Sequence, residues 1–393
     1  MATDFPVPHS IRRVTDCQNI EDFRTLAHRK LPFPVFHYID GAGDDELTKA
    51  RNTAAYADID LVPNVLAGVE EIDTSITVMG RETNLPLILS PTALQRLFHW
   101  QGERAVARVA ERHNLWFGIS SLSSVSIEEI GANYAGPKML QYYYHRDKGL
   151  NAALIERARA AKFDAIALTV DTIVSGNRER CKRTRFKTPP EFTPASFMSY
   201  AMKPAWALNF LLREKFTLPN LDTHLAEGSS SSISIQDYFD KMLDPDMDWK
   251  AVEQLRNDWG GTFCLKGVMS VGDARRAADI GCDAIMISNH GGRQLDGSRA
   301  PFDQLEEIVD AVGDRIEVIC DGGIRRGTHV LKALATGATA ASGGRLYLYA
   351  LAAAGEAGVE RAVTILRQEF ERGMRLMGVK SPRELNREML RRR

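Results

Sequence analysis

Eight short, nearly continuous apolar runs between residues 85 and 344, most of them followed by a helical pattern, restrict the fold of this chain more than any other feature. They are LPLILS (85–90), LWFGISS (115–121), KMLQYYY (138–144), DAIALTVD (164–171), TFCLKGV (262–268), DAIMISN (283–289), IEVICDGG (316–323) and ATAASGG (338–344). Strands covered on both faces lose the in–out alternation of half-exposed strands and read in this way. Helical patterns such as GERAVARVAERH (102–113) and GLNAALIERARAAK (149–162) fill the gaps. An open doubly wound sheet is the alternative, but eight sequential β-α units fit an α/β chain of the (β/α)8, or TIM-barrel, type better.

Two regions fall outside the eight units. Residues 1–80 read as an N-terminal helical extension, and residues 81–385 as the barrel. The connection after strand four, about 172–261, is far longer than an ordinary βα loop. Insertions at the C-terminal face of a barrel serve as lids or binding loops. With a formal net charge of -1 there is no electrostatic case for nucleic acid. The five cysteines are scattered without a C-x-x-C, so neither a disulfide framework nor a metal site is expected. No apolar run nears the roughly 20 residues of a spanning helix. The N-terminus lacks an apolar core of signal-peptide length, and the expected compartment is the cytoplasm.

Active sites of such barrels lie at the C-terminal ends of the strands. Here the strand ends deliver, in order, Pro91-Thr92-Ala93, Ser120, Gln141 with Tyr143, and Thr169 with Asp171 and the nearby Arg178. Lys266 follows, then Ser288-Asn289-His290, Asp321 with Gly323 and Arg325, and Gly344-Arg345. Singly, each has an ordinary reading: a surface histidine, a solvated lysine, a helix-capping aspartate, a glycine turn. Jointly they put a proton-transfer group, a lysine and several arginines on one rim. The glycine pairs after strands seven and eight, with Arg325 and Arg345, have the composition of the usual phosphate site of this fold.

The stretch SNHGGRQLDG (288–297) resembles the signature of the FMN-dependent α-hydroxy acid dehydrogenases and oxidases, which include glycolate oxidase, mandelate dehydrogenase and L-lactate dehydrogenase. FHYIDGAGDDELT (36–48), PTALQRL (91–97), QYYYHRD (141–147), LTVDT (168–172), LKGV (265–268), DGGIRRGTHVLKALATGA (321–338) and AAGEAGV (353–359) extend the resemblance. It implies FMN as cofactor and oxidation of an (S)-2-hydroxy acid, L-lactate first, to the 2-oxo acid. On it, His290 is the base, Asp171 its carboxylate partner, and Arg178 and Arg293 the clamp on the substrate carboxylate. Tyr38 and Tyr143 bond the substrate, and Lys266 stands beside the flavin. Pro91, Thr92, Ala93, Ser120, Gln141, Thr169, Ser288 and Asp321 fall at cofactor positions, and Gly323, Arg325, Gly344 and Arg345 at the phosphate. Relatives of this type are commonly homotetramers.

The departures concern substrate and acceptor. Leu122 stands where plant-type glycolate oxidases carry tryptophan, and strand eight continues Gly-Gly-Arg-Leu-Tyr rather than Gly-Arg-Pro. Ala93 stands where mandelate dehydrogenase has glycine and the oxidases alanine, which favours O2 as acceptor. The segment 196–216, with Trp206, Leu208, Phe210, Leu211 and Leu212 between basic residues, favours the opposite. It is similar to the segment by which membrane-associated relatives approach the bilayer, and would make the chain a peripheral protein on the inner face of the cytoplasmic membrane, passing electrons to quinone or a cytochrome. A lid or subunit contact is the other reading of that segment. Rival classes fit less well. A type 2 isopentenyl diphosphate isomerase has no use for His290 with two arginines, a non-catalytic flavoprotein has no need of them, and a Rossmann enzyme needs a G-x-G-x-x-G that is absent near the first strand.

Overall fold

The computed structural model describes residues 11–186, 194–221 and 235–393. Eight strands, β1 (Leu87–Thr92), β2 (Trp116–Ser120), β3 (Lys138–Tyr143), β4 (Ala165–Thr169), β5 (Thr262–Lys266), β6 (Ala284–Ile287), β7 (Glu317–Asp321) and β8 (Ala340–Gly343), close into a barrel. Every neighbouring pair is parallel, including the closing pair β8–β1. All eight coincide with the apolar runs.

Strand side chains alternate between the barrel interior and the surrounding helices. The interior is filled by Ile88, Trp116, Met139, Ala165, Ala167, Cys264, Ala284, Met286, Ile319 and Ala340, a cluster separate from the larger core between strands and helices. Val78 and Met79 complete it from below. They belong to a hairpin, Ile76–Val78 with Arg81–Thr83, which is tied in by Trp116 Nε1–H to the Val78 carbonyl (3.1 Å) and by Met79 N–H to the Glu317 carboxylate (2.8 Å). The N-terminal mouth of the barrel is therefore plugged.

The N-terminal region is helical over Ile20–Lys30, Phe33–Asp40 and Leu47–Ala54, but not throughout. Besides the hairpin, Ile59–Leu61 pairs antiparallel with Leu390–Arg392, near the end of the chain. Such three-residue strands have no periodicity to read. The long connection after β4 carries helices at Glu179–Arg183, Pro194–Ala201, Pro204–Leu212, Ile235–Met242 and Trp249–Trp259. No described helix is long and apolar enough to cross a membrane.

The helix Pro204–Leu212 divides the apolar segment of the sequence reading. Trp206 is buried, donates from Nε1 to the Leu97 carbonyl (2.8 Å) and stacks on Phe210. Leu208, Leu211 and Leu212 are 55 %, 63 % and 77 % exposed. Two of the five residues thus anchor the helix to the barrel, and the three leucines form its outer face.

Candidate active site

Period two, continued one step up each strand, builds the site. Two residues beyond Ile88, Met139, Ala167, Cys264, Met286, Ile319 and Ala340 stand Ser90, Gln141, Thr169, Lys266, Ser288, Asp321 and Ser342, a polar layer on top of the apolar one. Register makes lateral neighbours of Ser120 and Gln141, of Tyr143 and Thr169, and of Thr169 and Lys266. Lys266 is buried, with Nζ 3.0 Å from Ser288 Oγ and 3.2 Å from Asp321 Oδ2. Asp321 also accepts from Ser288 Oγ (2.7 Å) and Ser90 Oγ (2.5 Å). Burial by itself would strip Lys266 of its proton, but Asp321 and Asp171 outweigh it and hold the pKa above the ordinary lysine value. Burial likewise opposes the Asp321 charge, and Lys266 with the serine hydroxyls holds its pKa low. The result is a fixed cation at the centre of the rim.

His290 follows β6 in the left-handed region (φ 57°), as do Gly291 and Gly292 (68° and 74°). This turn lifts the imidazole over the barrel mouth. A Cβ on Gly292 would lie 2.6 Å from the Lys49 nitrogen, so only glycine lets the two backbones pass. His290 Nδ1 is 3.1 Å from Asp171 Oδ1, which also accepts from Thr172 Oγ1 (2.8 Å). A carboxylate on Nδ1 fixes the tautomer and leaves Nε2 as the acceptor. Burial pushes the imidazole pKa down and Asp171 pulls against it; the net shift is downward, so the ring stays neutral and basic. Burial would raise the Asp171 pKa, but His290 and Lys266 hold it below the usual carboxylate range.

Across from the imidazole stand two half-buried guanidinium groups. Arg293 donates to the carbonyls of Tyr38 (2.7 Å) and Gly41 (3.1 Å) and lies over the Tyr38 ring (4.9 Å). Arg178 lies over Phe239 (5.9 Å), and its Nε is buried without a partner among the described residues. Neither has a carboxylate partner among the described ion pairs. Burial and the neighbouring Arg293 push the Arg178 pKa down. Tyr143 is buried, its pKa pushed up by burial and by Asp171. Ala93, Phe98, Leu122 and Phe239 supply apolar wall.

At the other end, Gly323 (φ 74°) packs so closely that a Cβ would fall 1.9 Å from the Asn52 carbonyl oxygen. Gly344 N-caps the helix Arg345–Met377 with no side-chain cap, leaving the first N–H groups for an anion. Arg325 also lines this end. Arg345 does more than the sequence suggests. It donates to the carbonyls of Ile39 (2.9 Å), Gly291 (2.8 Å) and Gly41 (2.7 Å), and so ties the helix Phe33–Asp40 to the His290 turn. Burial lowers its pKa to about 10.

One cavity, open at its rim, is lined by all but two of the residues to which the resemblance gives a site role. They are Tyr38, Pro91, Thr92, Ala93, Ser120, Gln141, Tyr143, Thr169, Arg178, Lys266, His290, Arg293, Asp321, Gly323, Arg325, Gly344 and Arg345. Asp171 stands behind His290. Ser288 does not line the cavity: its hydroxyl is hydrogen-bonded to Lys266, Asp321 and the His290 N–H (3.1 Å). The sequence reading missed Phe98 and Phe239, which no polar pattern marks. It also missed Ser90, whose place two residues beyond Ile88 was available, and Asn52, which pairs reciprocally with Asn289 (2.7 and 2.8 Å).

The donor set fits FMN. Gln141 Nε2 and Thr169 Oγ1 are buried in the cavity wall with no partner among the described residues, and the pyrimidine edge of a flavin offers such groups their complements. The glycine cradle and uncapped helix start offer N–H groups to a phosphate, and Lys266 faces the space between. Such a rim is that of a flavin-dependent barrel oxidoreductase with a small carboxylate-bearing substrate.

Residues 27–392 match the family model described as FMN-dependent dehydrogenase. L-lactate dehydrogenase of Caulobacter vibrioides is 38 % identical over 373 residues, covering 94 % of this chain and 96 % of that one. Glycolate oxidase of Spinacia oleracea is 37 % identical over 369 residues, 94 % of each. The crystal structure of the monotopic membrane protein (S)-mandelate dehydrogenase superposes with a TM-score of 0.91 at 31 % identity, covering 96 % of this chain and 100 % of that one. The chain belongs to the FMN-dependent dehydrogenase family and is an FMN-dependent hydroxy acid oxidoreductase.

Proposed function

We propose that the chain oxidises an (S)-2-hydroxy acid with an apolar C2 substituent, L-lactate first, and passes the electrons to a quinone. The observation that carries the substrate class is Arg178 with Arg293: two guanidinium groups facing a cavity without a carboxylate partner among the described residues, beside a neutral imidazole. A guanidinium fork matches a carboxylate in geometry as well as charge. With the carboxylate held there, His290 Nε2 takes up the proton released as the C2 alcohol becomes a carbonyl, and Asp171 stabilises the imidazolium. Tyr143 and Tyr38 orient the substrate. Phe98, Leu122 and Phe239 exclude water from its side chain.

FMN supplies the two-electron acceptor. Pro91, Thr92, Ala93, Ser120, Gln141 and Thr169 would hold its ring, Lys266 its developing charge, Asp321 the lysine, and Gly323, Arg325, Gly344 and Arg345 its phosphate. Relatives named L-lactate dehydrogenase, and the monotopic mandelate dehydrogenase, support the dehydrogenase reading and a site at the membrane surface. Ala93 in the cavity wall favours a second reading, an oxidase using O2.

Anaerobic mixing of the flavin-loaded protein with L-lactate, glycolate and (S)-mandelate tests the first reading. Bleaching of the flavin absorbance is expected, fastest with L-lactate, and His290→Gln should retain the flavin yet lose about 10²–10⁴-fold in bleaching rate. Absence of bleaching by every 2-hydroxy acid in the holoprotein would refute the reaction. Reoxidation by a short-chain quinone faster than by air separates dehydrogenase from oxidase.

A further inference from the structure

A second cavity lies between the helix Pro204–Leu212 and the barrel. Phe98 lines both this space and the active site, so one buried phenyl ring belongs to both walls. The lining combines aromatic faces with cations. Trp206 and Phe210 stack at 5.1 Å with planes 8° apart, and Arg213 sits 4.6 Å over the ring of Trp100. Arg29, Lys30, Lys203 and Arg96 also line it, and Glu214 is the one acid in the lining among the described residues. Arg96 is 4 % exposed at its side chain, and its Nε–H is buried without a partner among the described residues. A buried donor of this kind needs an acceptor, which a ligand or an ordered water supplies. Just outside, Leu208, Leu211 and Leu212 of the helix Pro204–Leu212 are each more than half exposed, and Met202, in the turn before that helix, is 66 % exposed at the edge of the lining. Apolar side chains flanked by cations suit a lipid surface.

We infer that this cavity binds a lipid-soluble quinone, entering from the bilayer beside the exposed leucines and presenting its ring to Phe98. The inference rests on the dehydrogenase reading above and adds the place where the acceptor is held. A quinone ring is flat and apolar on its faces, as stacked aromatic walls require, and its two carbonyl oxygens accept hydrogen bonds from donors such as Arg96. His99, whose pKa burial pushes down to about 4, adds an uncharged ring to the lining. The balance closes without another reactant. Oxidation of R–CH(OH)–COO⁻ to R–CO–COO⁻ releases two electrons and two protons, and the quinone takes up both pairs to become the quinol.

The test uses the FMN-loaded full chain and an azido derivative of a short-chain benzoquinone, irradiated without hydroxy acid and mapped by peptide mass. Labelling is expected within residues 96–100 and 202–216, with protection by the unmodified quinone. Label confined to other regions, or unprotected label, would overturn the inference. Asn209→Trp fills the cavity from the helix that covers it. It should lose the label and slow quinone reduction at least about ten-fold, equivalent to about 1.4 kcal/mol, while anaerobic bleaching by the hydroxy acid is retained. Unchanged quinone reduction in that variant would also overturn it. Protected labelling of this cavity in a protein that no 2-hydroxy acid bleaches would uphold the site and refute the reaction instead; bleaching without labelling would do the reverse.

Discussion

Arg178→Met gives the sharpest test of the site, because activity and stability should move in opposite directions. Arg178 faces the cavity half-buried beside Arg293, and its Nε lacks a partner among the described residues. Methionine keeps the apolar contact with Phe239 and removes the charge. A hydrogen bond to a charged group contributes about 1.5–3 kcal/mol, so a lost two-bond fork costs about 3–6 kcal/mol, or ~10²–10⁴ in kcat/KM. Without substrate the same change removes a poorly solvated cation next to a like charge and stabilises the fold by up to about 1 kcal/mol. At about 2.1 cal/mol/K per residue over 393 residues, the unfolding entropy is about 0.8 kcal/mol/K, so Tm rises by about 1 °C. The 2-oxo acid product at a hundred times Kd should stabilise the native protein by about 2.7 kcal/mol, about 3 °C, and the variant at that concentration hardly at all. Stopped-flow flavin reduction and thermal scans with and without the 2-oxo acid measure both. A variant that retains kcat/KM within about three-fold, or that keeps its product-induced shift in Tm, would refute the carboxylate clamp.

Three further outcomes follow from the geometry. His290 acts as a neutral base with a depressed pKa, so kcat/KM should fall as pH drops through a value below the ordinary imidazole pKa of about 6.5; Asp171→Asn removes a group that raises that pKa, and should move the acid limb lower still while reducing the plateau, as read from pH–rate profiles of flavin reduction. Gly323→Ala, which puts a Cβ on the Asn52 carbonyl, should abolish FMN retention on gel filtration, whereas Gly297→Ala, at φ 80° with nothing within 4 Å, should cost about 1–2 kcal/mol of stability and keep the flavin. Changing Leu208, Leu211 and Leu212 together to Gln should release the protein from anionic liposomes in a sedimentation assay, while Trp206→Ser, which empties a buried site, should lower stability by about 3–5 kcal/mol and leave those leucines on the surface.

The order of residues is enough to read the barrel, because strands buried on both faces are written as continuous apolar runs, and each run's polar end marks the same rim. It also determined the chemistry brought there: His290, Asp171, Lys266 and the arginines sit within a few residues of strand ends, where local position sets direction. Tertiary structure alone decided what those groups touch. The tie from Arg345 to the Ile39 and Gly41 carbonyls spans more than 300 residues, and the retreat of Ser288 behind Lys266 depends on Asp321 from the next strand. Whether Trp206 faced lipid or barrel, and whether Phe98 would wall one cavity or two, depended on how the insertion helix docks. An aromatic residue carries the same hydrophobic signal in either place, and only the partner across the gap gives it a direction.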